Sequence, residues 1–403
     1  MGDRKKKIVF LTDPREWGGC EILLLDYLTA IDYSKVEVVL MTTNDFFSKR
    51  IAERGLPVKV ELFPFKLAGH PLSRFIKFYR MLSKFKPMDK IIYFTGGFYI
   101  FKWSEYLAGY MLSKKEVYSV ENLGPFKLPE TGDKKYFGVI PPLNLWRHKK
   151  IFFAKLRLSL CKRILTVGLD IKTRLVDWYG CSPNKIFVAY NGVSSKKFSP
   201  DRSKKENFLK RYHRTTGDIV ITSTSRLSQE KCVYRLLEAI AQIKDKYHNI
   251  FVVIVGDGPL RSELEKLAVE KGLMPIIKFV GYQENVVDFL HLGDIFVLPS
   301  DYEGFSIAML EAMAVGLIPV RTDTCGAGEV IIHGENGFIV ECSTEGVRKG
   351  LEMTLKLTAA QRRIMSEKAR KTIEENFDFT KNIKRAVSFL ELSPVSDFDS
   401  SKG

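Results

Sequence analysis

Two glutamates, Glu303 and Glu311, are separated by seven residues in Pro299-Ser-Asp-Tyr-Glu-Gly-Phe-Ser-Ile-Ala-Met-Leu-Glu-Ala-Met-Ala-Val-Gly316. Ser306 can N-cap the helix that follows, which leaves Glu303 on the preceding loop and puts Glu311 about a turn and a half into the helix. Backbone N–H groups at Ser306, Ile307 and Ala308 then point outward from a helix start, a place that favours phosphate or pyrophosphate. Carboxylates beside such a site cannot be there for the anion. They suit hydroxyl groups, so the ligand implied carries both phosphates and sugars.

Positive charge comes from Thr224-Ser-Arg-Leu-Ser-Gln-Glu-Lys231, a loop between an apolar strand pattern and a helix. A bidentate guanidinium at Arg226 and an ammonium at Lys231 would together neutralise a diphosphate leaving group. The plainer alternative is a pair of solvated loop cations. Trp17-Gly18-Gly19-Cys20-Glu21 follows the first strand, and paired glycines let backbone approach a phosphate, although a tight turn without ligand has the same composition. Gly256-Asp-Gly-Pro-Leu-Arg261 is not a dinucleotide fingerprint: Arg261 stands where a third glycine is needed and Pro259 occupies the turn. It reads as a structural strand-to-helix turn.

The elements that must carry these residues alternate. Apolar strand patterns at Ile8–Thr12, Val36–Thr42, Ile91–Thr95 and near Val117 are interleaved with helical patterns over Glu21–Ile31 and Leu72–Phe85. The second half repeats the design with strands at Ile219–Ser223, Phe251–Val255, Ile276–Val280, Ile295–Pro299 and Ile318–Thr322. Strands with few polar residues between helices of ten or more imply parallel sheets covered on both faces. The expected fold is α/β, with two doubly wound domains in 403 residues. The expected boundaries are 1–198, 199–376, a C-terminal helix at 377–392 packing back on the first domain, and a loose tail at 393–403. Glu352–Leu392 reads as two helices split near Phe377–Thr380.

Charge is unevenly divided. Residues 1–200 carry +17 and the remainder −1, within a net of +16. A basic half can meet nucleic acid, an anionic membrane or a phosphorylated substrate. Trp146–Arg163 mixes seven Lys and Arg with Phe152, Phe153, Leu156 and Leu160 at helical spacing, which fits either a membrane-surface helix or a core helix with a solvated basic face. Core packing is the expectation for Leu72–Phe85. Nucleic acid is not expected, because no recognised binding module accompanies the charge. Six scattered cysteines with no CxxC pair, no signal-peptide core and no apolar run of spanning length point to the cytoplasm, with peripheral membrane attachment as an option.

Taken in order, Arg226…Lys231, Val255-Gly-Asp-Gly-Pro, Phe279-Val-Gly281, the Glu303/Glu311 pair and Tyr190-Asn-Gly-Val193 with Phe198-Ser-Pro resemble retaining glycosyltransferases of family 4. The resemblance is close over most of 164–340 and weaker over 1–163. It implies the GT-B fold, two Rossmann-like domains facing a central cleft, and transfer of a sugar from a nucleotide-diphosphate sugar to a hydroxyl acceptor with retained configuration. The acceptor implied is a glycan or a lipid-linked sugar. Arg226 and Lys231 would hold the diphosphate, aided by Gly18, Gly19 and the helix start at Ser306–Ala308. Glu311 would take the ribose hydroxyls, Glu303 the transferred sugar, and Tyr282 lies where the base is expected. No cofactor and no metal are implied, since fixed cations and backbone dipoles take that place. One departure stands out: Val117-Tyr-Ser-Val-Glu-Asn122 puts Glu121 where family members often carry a histidine, so a carboxylate would take that role. Alternatives that stay open are a GT-B nucleotide-sugar epimerase and a protein that binds nucleotide sugars without turnover.

Overall fold

The computed structural model describes residues 4–13, 19–43, 45–63, 70–95, 102–121, 143–201, 203, 205–215 and 217–394. The chain forms two compact units. The first comprises Met1–Tyr190 with Asn382–Gly403, the second Asn191–Lys381.

The first unit runs β1 (Lys6–Thr12), α1 (Gly19–Thr29), β2 (Val36–Thr42), α2 (Ser48–Glu53), β3 (Val58–Leu62), α3 (Pro71–Ser83), β4 (Lys90–Thr95), α4 (Trp103–Leu112), β5 (Val117–Glu121), α5 (Leu143–Ser159), β6 (Arg163–Thr166), α6 (Leu169–Tyr179) and β7 (Ile186–Val188). Its seven strands are parallel, in the order β3-β2-β1-β4-β5-β6-β7. The second unit runs α7 (Lys205–Arg211), β8 (Ile219–Thr224), α8 (Val233–Ile243), β9 (Ile250–Val255), α9 (Arg261–Glu270), β10 (Ile277–Gly281), α10 (Val287–Leu290), β11 (Ile295–Leu298), α11 (Ile307–Ala314), β12 (Ile318–Thr322), α12 (Ala327–Val330), β13 (Phe338–Val340), α13 (Thr344–Lys356) and α14 (Ala359–Asn376). Six parallel strands take the order β10-β9-β8-β11-β12-β13. A final helix, α15 (Phe379–Phe389), carries the chain from the second unit back into the first.

Burial explains the strand sequences. Every residue of β8, β9 and β11 is buried, as parallel sheets with helices on both faces require. Ile221, Val252, Ile254, Ile295 and Val297 pack with Leu236 and Ile240 of α8 into one core. In each sheet the strand order reverses once, between β1 and β4 in the first and between β8 and β11 in the second. Ligands of open α/β sheets bind outside the carboxyl ends of strands at such reversals.

Three expectations need correction. The stretch Glu352–Leu392 splits after Asn376 as expected, but it has a further break after Lys356, where Thr358 caps α14 in a capping box with Gln361. The polar-looking Ser194–Asn207 is not where the units part. They part at Tyr190–Asn191, and Ser194 and Phe198 are buried in the second unit. Leu72 and Ile76 of α3 are exposed, although Phe78 and Leu82 on the same helix enter the core. In α5 the inward face is Ala154, Arg157 and Leu158, whereas Phe152 is 61% exposed and Phe153 stacks on Trp103 at 6.3 Å.

Candidate active site

The reversal in the second sheet gathers most of the predicted residues. β8 ends at Thr224 and the loop beyond it carries Arg226, which is exposed, and then a 3-10 turn, Gln229–Lys231. β11, hydrogen-bonded beside β8, ends at Leu298 and leads to Glu303 and α11.

The two loops are tied together. Lys231 Nζ donates to Glu303 Oε1 at 2.8 Å, and Ser300 Oγ donates to the same oxygen at 2.7 Å. The Asp301 N–H donates to the Glu230 carbonyl at 2.9 Å, and Asp301 pairs with Arg235 at 2.7 Å. Cys232 takes a left-handed conformation, φ 49°, which costs a non-glycine residue about 1 kcal/mol. Its thiol lies 3.2 Å from Asp301 Oδ2, a link that a glycine would lack. Burial pushes that thiol up to about 11, so it stays protonated at neutral pH.

Ser306 caps α11 as its sequence predicts: Oγ accepts the Met309 N–H at 3.3 Å. Ile307 and Ala308 are partly exposed, and first-turn N–H groups of an α-helix lack intrahelical partners. Glu311, one turn further on, is partly exposed to solvent but flanked by protein mass. Desolvation raises its carboxyl to about 7, against a smaller lowering by Lys197.

The Gly256–Gly258 turn supports the cation loop. At Gly256, φ 131°, a Cβ would lie 1.9 Å from the Ser225 carbonyl oxygen, and at Gly258 one would lie 2.4 Å from that of Leu227. The Leu227 N–H donates to the Asp257 carbonyl at 2.9 Å, and the Leu260 N–H to the Leu227 carbonyl at 3.0 Å. These glycines let one backbone lie directly on another, and the residue so fixed is the neighbour of Arg226.

Asn191 carries a role that sequence reasoning did not assign. It is buried, and its Nδ2 donates to the Phe305 carbonyl at 3.2 Å, between Glu303 and Ser306. Its Oδ1 has no hydrogen-bond partner among the described residues, a cost that an apolar residue would avoid. Only its place in the Tyr190-Asn-Gly-Val193 motif marked it.

Tyr282, Gly19 and Glu121 belong to other elements. Tyr282 follows β10, two strands away from β8, and is 71% exposed. Gly18 lies outside the described residues, and Gly19 is the first residue of α1. Glu121 ends β5 in the first unit and is buried. Its Oε1 is 3.1 Å from Arg157 Nη2 and accepts from Ser119 Oγ at 2.6 Å, while Thr95 Oγ1 donates to Oε2 at 3.2 Å. Hydroxyls and a guanidinium of its own unit thus contact both oxygens. Among the described residues no group of three or more His, Cys, Asp or Glu is placed to hold a metal. The sequence's Asp-x-Asp triplet, Asp397-Phe398-Asp399, lies outside them.

Residues 204–372, which carry Arg226, Lys231, Glu303, Ser306 and Glu311 of the β8–β11 site, match the family described as Glycosyl transferases group 1. The chain is 26% identical over 236 residues to an uncharacterized glycosyltransferase of Methanocaldococcus jannaschii, covering 57% of this chain and 60% of that protein. It is 29% identical over 167 residues to the Vi polysaccharide biosynthesis protein VipC/TviE of Salmonella typhi, covering 41% of this chain and 29% of the relative. The matches therefore span less than two thirds of either relative. In structure it resembles Anabaena HepE solved in complex with UDP and glucose, with a TM-score of 0.73 and 19% identity, covering 96% of this chain and 99% of that one. The fold is that of GT-B glycosyltransferases: two α/β units, each built on a parallel sheet.

Proposed function

We propose that this protein is a retaining glycosyltransferase that takes its sugar from a nucleotide-diphosphate donor and passes it to a hydroxyl of a glycan or lipid-linked acceptor. The observation that carries the reading is the Lys231–Glu303 pair at the β8–β11 reversal, beside the capped start of α11. Arg226, Lys231 and the N–H groups of Ile307 and Ala308 supply positive field for the departing diphosphate. A divalent cation is not needed in that role. Glu303 accepts hydroxyls of the transferred sugar and steadies the oxocarbenium-like carbon as the bond to the diphosphate lengthens. Glu311 accepts the ribose hydroxyls, and Tyr282 offers its face to the base.

The UDP and glucose held by the Anabaena protein support the donor class. The polysaccharide role in the name of the Salmonella relative supports work in glycan assembly. Glu121 is assigned to holding Arg157, not to the reacting sugar. Incubation with UDP-glucose, UDP-N-acetylglucosamine and GDP-mannose, followed by mass spectrometry, tests the activity. Acceptor-dependent release of nucleoside diphosphate supports transfer, an isomerised sugar nucleotide supports epimerisation, and binding without turnover supports neither.

A further inference from the structure

The three helices α3, α4 and α5 form a neighbouring set in the first unit, with α4 packed against both of the others. Their sequences contain one carboxylate among them, Glu105, and it is buried against Arg74 at 2.8 Å. No helix of the set therefore presents an exposed acid. Each instead exposes bulky apolar side chains: Leu72 at 61% and Ile76 at 40% on α3, Met111 at 57% on α4, and Phe152 at 61% on α5.

Cations share the same solvent-facing stripes. Lys77 and Arg80 are exposed on α3 beside Ile76, and Lys155 is exposed on α5 one turn from Phe152. Lys114 and Lys115, just beyond α4, are exposed with positive φ of 51° and 75°, and the half-buried Glu116 that follows is paired with Lys162 at 2.8 Å. Scattered surface apolars are ordinary, and so are surface lysines. Interleaving the two on adjacent helices, with every acid removed, is the composition that an anionic bilayer surface takes: apolar tips enter the headgroup boundary while cations meet lipid phosphates. A protein partner would be served as well by mixed charge. Nucleic acid would be served by cations alone and would gain nothing from exposed Phe152 and Leu72.

We propose that the α3–α4–α5 face of the first unit docks on anionic membranes. The inference stands on this unit alone and goes beyond the assignment of the β8–β11 site. No helix of the described residues is long and apolar enough to cross a membrane, and the contact proposed is a surface one.

Sedimentation of the full chain with sucrose-loaded vesicles tests it, using phosphatidylcholine alone or mixed with phosphatidylglycerol, at low and high salt. Binding is expected only with phosphatidylglycerol and is lost at high salt. Lys77→Ser, Arg80→Ser and Lys155→Ser together should weaken it about a hundredfold, and Ile76→Ser with Phe152→Ser about tenfold. Melting temperatures of the variants control for folding, and UDP binding measured on the same samples reports the other unit separately. No binding to phosphatidylglycerol vesicles at low salt overturns the proposal. So does a single-stranded oligonucleotide that binds as tightly as the vesicles and is indifferent to Ile76→Ser with Phe152→Ser.

Discussion

Replacing Glu303 with glutamine separates two properties that most site mutations change together. Lys231 Nζ sits 2.8 Å from Glu303 Oε1. A diphosphate that takes the lysine as partner must therefore come to rest near the carboxylate. With a phosphate oxygen about 3 Å from Nζ, the two negative groups lie about 6 Å apart, and at an effective dielectric of about 40 they repel by about 1.4 kcal/mol. Glutamine keeps the shape and the hydrogen bond from Ser300 Oγ but removes that repulsion. Glu303→Gln should therefore bind UDP or GDP about tenfold more tightly than the native chain, a change of about 1.4 kcal/mol. Sugar transfer should fall about a hundredfold or more, because the group that accepts sugar hydroxyls and faces the developing positive charge is gone. Isothermal titration of nucleoside diphosphate and the nucleotide-release assay read the two effects on one preparation. A folded variant whose diphosphate affinity is unchanged or weaker refutes the placement of the diphosphate beside Lys231.

The remaining predictions concern groups around that pair. Glu311, raised from 4.5 to about 7, makes the folded state hold a proton that the unfolded chain releases between those values. Stability should accordingly fall as pH rises through that window, by at most about 3 kcal/mol, and Glu311→Gln should flatten this part of a urea-denaturation pH series. Nucleotide affinity should rise over the upper part of the same range, as the carboxylate that accepts ribose hydroxyls forms, and the glutamine variant should lose that rise in titrations at several pH values. Gly258→Ala places a Cβ 2.4 Å from the Leu227 carbonyl oxygen, so the Arg226 loop must shift. Its nucleoside diphosphate affinity should drop about tenfold or more in titration, with a melting temperature lowered by several degrees. Arg157→Met leaves Glu121 buried without its cation and should destabilise by about 3–5 kcal/mol in urea, and adding Glu121→Gln should recover most of that loss.

The sequence made the β8–β11 site readable because its parts are local. A strand end, a Ser cap and two glutamates at fixed spacing define Pro299–Gly316 without help from distant chain, and Ser306 caps α11 as its position dictates. The Lys231–Glu303 contact joins residues 72 positions apart, and only the topology of a reversed parallel sheet brings them together. The setting of Glu121 was out of reach for the same reason. The resemblance puts it at the position of a family histidine, and its partner Arg157 comes from α5, whose periodicity suggested that basic residues face solvent. Asn191 was silent because an Asn-Gly pair ordinarily signals a turn, and nothing local shows that its amide reaches Phe305. The exposure of Leu72 and Ile76 was hidden too, since a helical apolar stripe normally faces the core.

A crystal structure of the full chain soaked with UDP or GDP tests the central claim most directly. The diphosphate is expected within hydrogen-bonding distance of Arg226, Lys231 and the N–H groups of Ile307 and Ala308, with the ribose on Glu311. A nucleotide seated away from the β8–β11 reversal, or one whose diphosphate touches neither cation, would contradict it.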